Sequence, residues 1–109
     1  MKGKIVLVPF PFTDLTAAKM RPALVLFEGG RDVVVAFISS RVPEVSSAWS
    51  VVVGMDHGEF GLTGLKVGSV IRLDKVATVL KDMVVGEIGE VGEVLKAEIN
   101  EKLIEIYLL

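Results

Sequence analysis

The apolar pattern of this chain changes period once, near residue 91, and that change decides most of what the chain can fold into. Upstream of it, apolar residues come in short Val- and Leu-rich runs bounded by Gly, Pro, Ser and Asp, as strands do. Residues 4–8, 22–27 and 32–38 are the clearest, the last with Val33-Val34-Val35 at its centre. Residues 50–53 and 69–73 read as further strands, 76–80 continues the latter past a bend, and 84–88 is a shorter candidate. From Val91 onward, Leu95, Ile99, Leu103 and Ile106 follow at four- and three-residue spacing, with Glu98 four before Lys102 on the polar side. That spacing predicts an amphipathic helix. Many short strands and one terminal helix predict a mainly β (α+β) fold, a strongly curved antiparallel sheet forming a small barrel with the helix packed on it.

Glu28-Gly29-Gly30-Arg31 joins the second and third strands, and its glycine pair can supply the positive φ angles of a tight hairpin turn. Residues 9–20, 41–47 and 54–68 read as loops, the last with glycines at 54, 58, 61 and 64. Long loops in a small domain tend to carry function. Gly86-Glu87, Gly89-Glu90 and Gly92-Glu93 recur at period three, over too few residues to be more than a local feature.

Composition narrows the chemistry. A length of 109 residues implies one domain spanning 1–109, because a domain usually takes roughly 150. With 51% hydrophobic residues it can build a real core. The absence of cysteine and the single histidine exclude disulfide scaffolds, thiolate zinc sites, cysteine nucleophiles and any two-histidine mechanism. Pro9 and Pro11 interrupt the N-terminal apolar run before it reaches signal-peptide length, and the charge-free run 45–55 is far shorter than the ~18 residues of a membrane span. A cytoplasmic protein with no membrane partner is expected.

The formal charge of −2 is unevenly spread. Residues 82–109 carry seven acids and two bases, whereas residues 1–81 carry ten bases and seven acids. A polyanion can therefore be met by the first three quarters of the chain, since steering follows local potential rather than net charge.

Several blocks carry a resemblance. Gly3-Lys4-Ile5-Val6-Leu7-Val8-Pro9-Phe10, then Thr13-Asp14-Leu15, then Lys19-Met20-Arg21-Pro22-Ala23-Leu24-Val25-Leu26 form the opening. Ala36-Phe37-Ile38-Ser39-Ser40 and Gly68-Ser69-Val70-Ile71-Arg72-Leu73-Asp74-Lys75 follow in order. The ordered set resembles the MazF/PemK family of toxin endoribonucleases over nearly the whole chain. The resemblance implies an SH3-like barrel, a homodimer, and cleavage of single-stranded RNA without metal or cofactor. It also implies a cognate antitoxin whose disordered C-terminal tail lies in the RNA groove. RNA brings its own nucleophile, the 2′-OH, so an enzyme need only orient it, stabilise charge on phosphorus and help the 5′-oxygen leave.

By the same resemblance the catalytic candidates are Arg21, Ser39 and Asp74, and the RNA-binding candidates are Arg72, Ser40, Arg41, Lys19 and Asp14. Arg21 matches the family's catalytic arginine, whose planar fork can grip two phosphate oxygens. Ser39 stands where the family has threonine, keeping the hydroxyl and losing the methyl that restricts its rotamer. Arg72 and Asp74, two apart on a strand, should share a face, with Asp74 the candidate base.

Each site residue has a plainer reading. Arg21 and Arg41 can be solvated surface charges, Ser39-Ser40 can start a turn, and Arg72 with Asp74 can be a surface ion pair. His57, between Asp56 and Glu59, reads better as a surface loop residue than as a metal or acid–base group. Trp49 and Phe60 can stack on bases, or pack in the core or a dimer interface. Two alternatives to a ribonuclease stay open. One is a CcdB-like toxin of the same barrel that binds DNA gyrase, disfavoured by the ending Ile106-Tyr107-Leu108-Leu109, which lacks a terminal tryptophan. The other is a catalytically degenerate family member.

Overall fold

The computed structural model describes residues 1–10 and 19–109, the Phe10 side chain excepted. Six strands are present among them: β1 (Lys4–Phe10), β2 (Lys19–Glu28), β3 (Asp32–Ser39), β4 (Ser50–Val53), β5 (Ser69–Leu80) and β6 (Gly86–Glu90). A short helix, α1 (Phe60–Thr63), precedes β5, and the long helix α2 (Glu93–Tyr107) closes the chain. The strands form one antiparallel sheet in the order β4-β5-β3-β2-β1-β6. It curls into a half-barrel with α2 packed on it, the mainly β architecture expected from the period change. Among the described residues no helix is long and apolar enough to cross a membrane.

The sheet is buried on both faces along its middle strands. Ile5, Leu24, Ala36, Ile38, Val51, Val53, Ile71 and Leu73 meet Val91, Leu95 and Ile99 in one core, and Leu103 and Ile106 pack against it. Val6, Val8, Ala23, Val25, Val33 and Val35 form a second cluster, joined by Phe37, Val79 and Val84. Successive strand residues point to opposite faces, so Ile5 and Val6, or Val35 and Ala36, serve different clusters. This is why these strands read as unbroken apolar runs rather than as alternation. On α2 the predicted stripe is the buried one, and Glu93, Glu98, Glu101 and Glu105 are exposed.

Three register shifts bend the sheet. The largest lies between β3 and β5, where Ala36 pairs with Val76 but Ile38 with Ile71, so β5 takes five steps while β3 takes two. Such a bulge re-aims side chains and sharpens the twist. It makes the bend expected between 73 and 76, with the strand continuing through it.

Two expectations are corrected. The hairpin at Gly29-Gly30 exists, but neither glycine has positive φ; among the described residues only Gly3 and Gly64 do. Three residues span the turn rather than two, and Gly29 N–H closes it by donating to the Asp32 carbonyl at 2.9 Å. The stretch 54–68 is not all loop, since it holds α1, which ends on Gly64 in the left-handed region at φ 72°. The period-three glycines differ in their surroundings: Gly86 has open space around it, whereas Gly89 stands where α1 lies directly on β6. A Cβ at Gly89 would sit 2.3 Å from the Thr63 carbonyl carbon and oxygen, a separation no side chain tolerates.

Candidate active site

Antiparallel pairing brings one end of β2, β3 and β5 together. Ala23 pairs with Phe37, and continuing that register carries Arg21 towards Ser39. Ser39 in turn pairs with Val70, two residues before Arg72. The result is a cleft of about 410 Å³ lined by Arg21, Phe37, Ile38, Ser39, Ser40, Arg41, Arg72 and Lys75. Four of these are cations and none is acidic, although the chain as a whole is acidic.

Of the predicted residues, Arg21, Ser39, Ser40, Arg41 and Arg72 share this cleft. Asp74 is not part of the lining but is bound to one wall of it. Arg72 Nε donates to Asp74 Oδ1 at 2.8 Å and Nη2 to Oδ2 at 2.7 Å, a bidentate pair with both side chains about one-third exposed (32% and 34%). The hydrogen bonds from Arg72 hold the Asp74 carboxyl below the usual aspartate range, against a smaller opposing effect of burial. Lys19, exposed at the start of β2, does not line the cleft, and Asp14 lies outside the described residues.

Ser39 combines its two readings: its Oγ accepts the Arg41 N–H at 3.1 Å, turning the chain at the end of β3, yet it still lines the cleft. The accepted bond leaves the hydroxyl proton free to be donated elsewhere. Lys75 is a cleft residue that the spacing argument misses. A regular strand would send it away from Arg72, but it sits in the long side of the β3–β5 bulge, where alternation fails.

The histidine loop takes the plainer reading. His57 Nδ1 accepts the Glu59 N–H at 2.9 Å. The Glu59 carboxylate turns away to cap α2, accepting from Val94 N at 2.8 Å and Leu95 N at 2.8 Å. Burial raises the Glu59 pKa, but those two N–H groups lead the effects that leave it net lowered. Among the described residues no three His, Asp or Glu side chains converge on a point that could hold a metal.

The strands, the terminal helix and a cationic cleft at the β2–β3–β5 end define the class of protein: a model of the PemK-like, MazF-like toxin of type II toxin-antitoxin systems matches residues 1–107, and the chain belongs to that family. Its fold is that of Mycobacterium tuberculosis toxin MazF-mt6, with a TM-score of 0.72 at 21% identity over 94% of this chain and 93% of that one. A mycobacterial endoribonuclease solved in complex with its cognate antitoxin is similar at TM-score 0.69 and 21% identity, covering 96% of this chain and 91% of its own. A further endoribonuclease from a mycobacterial species gives 0.67 at 20% identity, over 96% and 88%. No curated protein matches by sequence.

Proposed function

We propose that this toxin is an endoribonuclease that cleaves single-stranded RNA by attack of the 2′-OH on the adjacent phosphodiester, leaving a 2′,3′-cyclic phosphate and a 5′-hydroxyl. The observation that carries this reading is the gathering of Arg21, Arg41, Arg72 and Lys75 around Ser39 with no acid in the lining. Such a cleft attracts a phosphodiester and stabilises the extra negative charge that phosphorus acquires in the transition state. Arg21 grips the non-bridging oxygens and hydrogen-bonds the departing 5′-oxygen, which takes its proton from solvent; a guanidinium offers five N–H donors and no acceptor, so Arg21 acts as a donor and not as a base. Ser39 Oγ–H adds a hydrogen bond to the same phosphate.

The proton leaving the 2′-OH goes to Asp74. In the free protein that carboxylate is a weak acceptor, because Arg72 occupies both its oxygens. Arriving phosphate competes for the Arg72 donors, and each donor it wins returns basicity to Asp74. The substrate's own nucleophile and these side chains complete the reaction, so no metal is needed for it. The protein acts as a homodimer, and a cognate antitoxin silences it by laying a disordered C-terminal tail across the same cations. The similar endoribonuclease solved with its cognate antitoxin supports an antitoxin as the partner.

The test is cleavage of single-stranded RNA in excess chelator. Products with cyclic phosphate ends, with DNA of the same sequence spared, are expected. Arg21→Ala should keep the fold and cut turnover by at least about a hundredfold, the scale for one lost transition-state donor. Arg21→Lys should rescue little, since a point charge lacks the planar fork. Equal cleavage of DNA, or near-normal turnover by folded Arg21→Ala, overturns the reading.

A further inference from the structure

A second cleft, of about 330 Å³, adjoins the first and shares two of its walls, Arg41 and Arg72. Its other lining is different in kind: Pro43, Val45, Trp49 and Val70 with Ser47 and Ser50. We propose that this cleft is a nucleobase subsite, in which Trp49 stacks on the base of a nucleotide next to the phosphate held in the cationic cleft. The inference rests on the ribonuclease reading and adds where the substrate's bases lie.

Three observations carry it. Trp49 is half exposed and Val45 is 79% exposed, beside a polyanion-attracting wall rather than within a purely apolar patch. The backbone that carries the indole is also held in place. Leu73 N–H donates to the Trp49 carbonyl at 2.9 Å, and Tyr107 of α2 hydrogen-bonds the Leu73 carbonyl. Lys102, also on α2, donates from Nζ to the Ser47 carbonyl at 3.2 Å and the Ser50 carbonyl at 2.7 Å. The backbone on either side of Trp49 is thereby fixed to the helix, so little backbone ordering remains to be done when a base arrives. Lastly, the Ser47 and Ser50 hydroxyls are 2.6 Å apart. Ser50 is buried, so its Oγ anchors the partly exposed Ser47 hydroxyl, which can both donate to and accept from a base edge. Phe60, the other aromatic of the region, packs against the core with Leu95 and is not available for this.

Trp49 is the sole tryptophan, so intrinsic emission reports on this site alone. The probes are short, end-labelled 2′-O-methyl RNA oligomers of mixed sequence, which lack the nucleophile, and an abasic ribose-phosphate oligomer of equal length. Binding is followed by anisotropy while Trp49 emission is recorded. The expected result is quenching that saturates along the binding curve for the base-bearing oligomer and is absent for the abasic one. Trp49→Ala should weaken binding about tenfold or more without changing its salt dependence, and Trp49→Phe should retain most of the affinity. If Trp49→Ala fails to fold, the quenching data and Trp49→Phe decide the matter. Oligomer binding with unmoved emission overturns the subsite and leaves the cationic cleft standing. Emission already blue-shifted and shielded from iodide in the free protein overturns it too, because a second copy of the chain then covers the indole. Should Arg21→Ala and Arg72→Ala leave the salt slope of binding unchanged, the ribonuclease reading of the cleft falls, and the subsite with it.

Discussion

Replacing Asp74 with Asn separates the two things that residue can do, aim Arg72 or accept a proton. The pair is about one-third exposed on each side, and exposed ion pairs contribute ~0–1 kcal/mol, so Asp74→Asn should lower the melting temperature by under about 8 °C and leave the fold intact. RNA affinity should hold or rise, since a negative charge beside the phosphate cleft is removed while an amide oxygen still accepts from Arg72. Turnover is where the roles part. General-base catalysis contributes about 10²–10⁴, so loss of the acceptor should cut kcat by about a hundredfold or more at neutral pH. The wild-type pH profiles make the same distinction. Asp74 is depressed in the free protein chiefly by the Arg72 hydrogen bonds, so it stays ionised above that lowered value and activity falls only as pH drops through it. The acid limb of kcat/KM, which reports the free enzyme, should lie below the ordinary aspartate range. In the complex, phosphate takes over the Arg72 donors, and the acid limb of kcat should lie higher. Steady-state cleavage of a labelled RNA across pH, with circular dichroism to confirm folding, measures all three. Asp74→Asn turnover within about threefold of wild type, with the two acid limbs coincident, would show that Asp74 only positions Arg72 and that the proton goes elsewhere.

The contact between α1 and β6 makes Gly89→Ala costly, because the added methyl meets the backbone of Thr63 and Leu62 rather than a movable side-chain end. The expected loss is about 3 kcal/mol or more, at or above the upper end for overpacking, whereas Gly86→Ala on the same strand has open space and should stay within about 1 kcal/mol of wild type; urea denaturation of both variants decides, and equal midpoints refute the steric argument. Glu28 Oε1 takes the Met1 ammonium at 2.7 Å and Oε2 takes Lys81 Nζ at 2.9 Å, and these hydrogen bonds lower its pKa from 4.5 to about 2. A depressed carboxyl stabilises the fold above its unfolded value and loses that contribution as pH falls from about 4.5 towards 2, so wild type should lose more stability over that window than Glu28→Gln; parallel urea midpoints for the two from pH 5 to pH 2 would refute it.

What the sequence discloses and what it hides divide along a physical line. The terminal helix is legible because its apolar stripe repeats locally, and the stripe from Leu95 to Ile106 is the face that packs. The strands are legible as runs but not as faces, because burial of both sides of β1, β2 and β3 erases the alternation that would assign Val35 to one cluster and Ala36 to the other. The cleft is half legible for a related reason. Arg21, Ser39 and Arg72 sit at strand ends that an antiparallel sheet must bring close, so blocks recognised separately converge once the pairing is known. Lys75 escapes because a three-residue excess in β5 over β3 reverses the side on which it emerges, and nothing local in Asp74-Lys75-Val76 announces a bulge. Lys102 escapes in the same way. Helical spacing pairs it with Glu98, and that contact exists at 4.0 Å, but its closer partners are the Ser47 and Ser50 carbonyls, more than fifty residues away. A local rule finds the weak partner because it lies within one helical turn. The strong one depends on where the sheet places the loop before β4, and it is this contact that ties the acidic helix, whose glutamates face solvent, to the loop bearing Trp49 beside the cationic cleft.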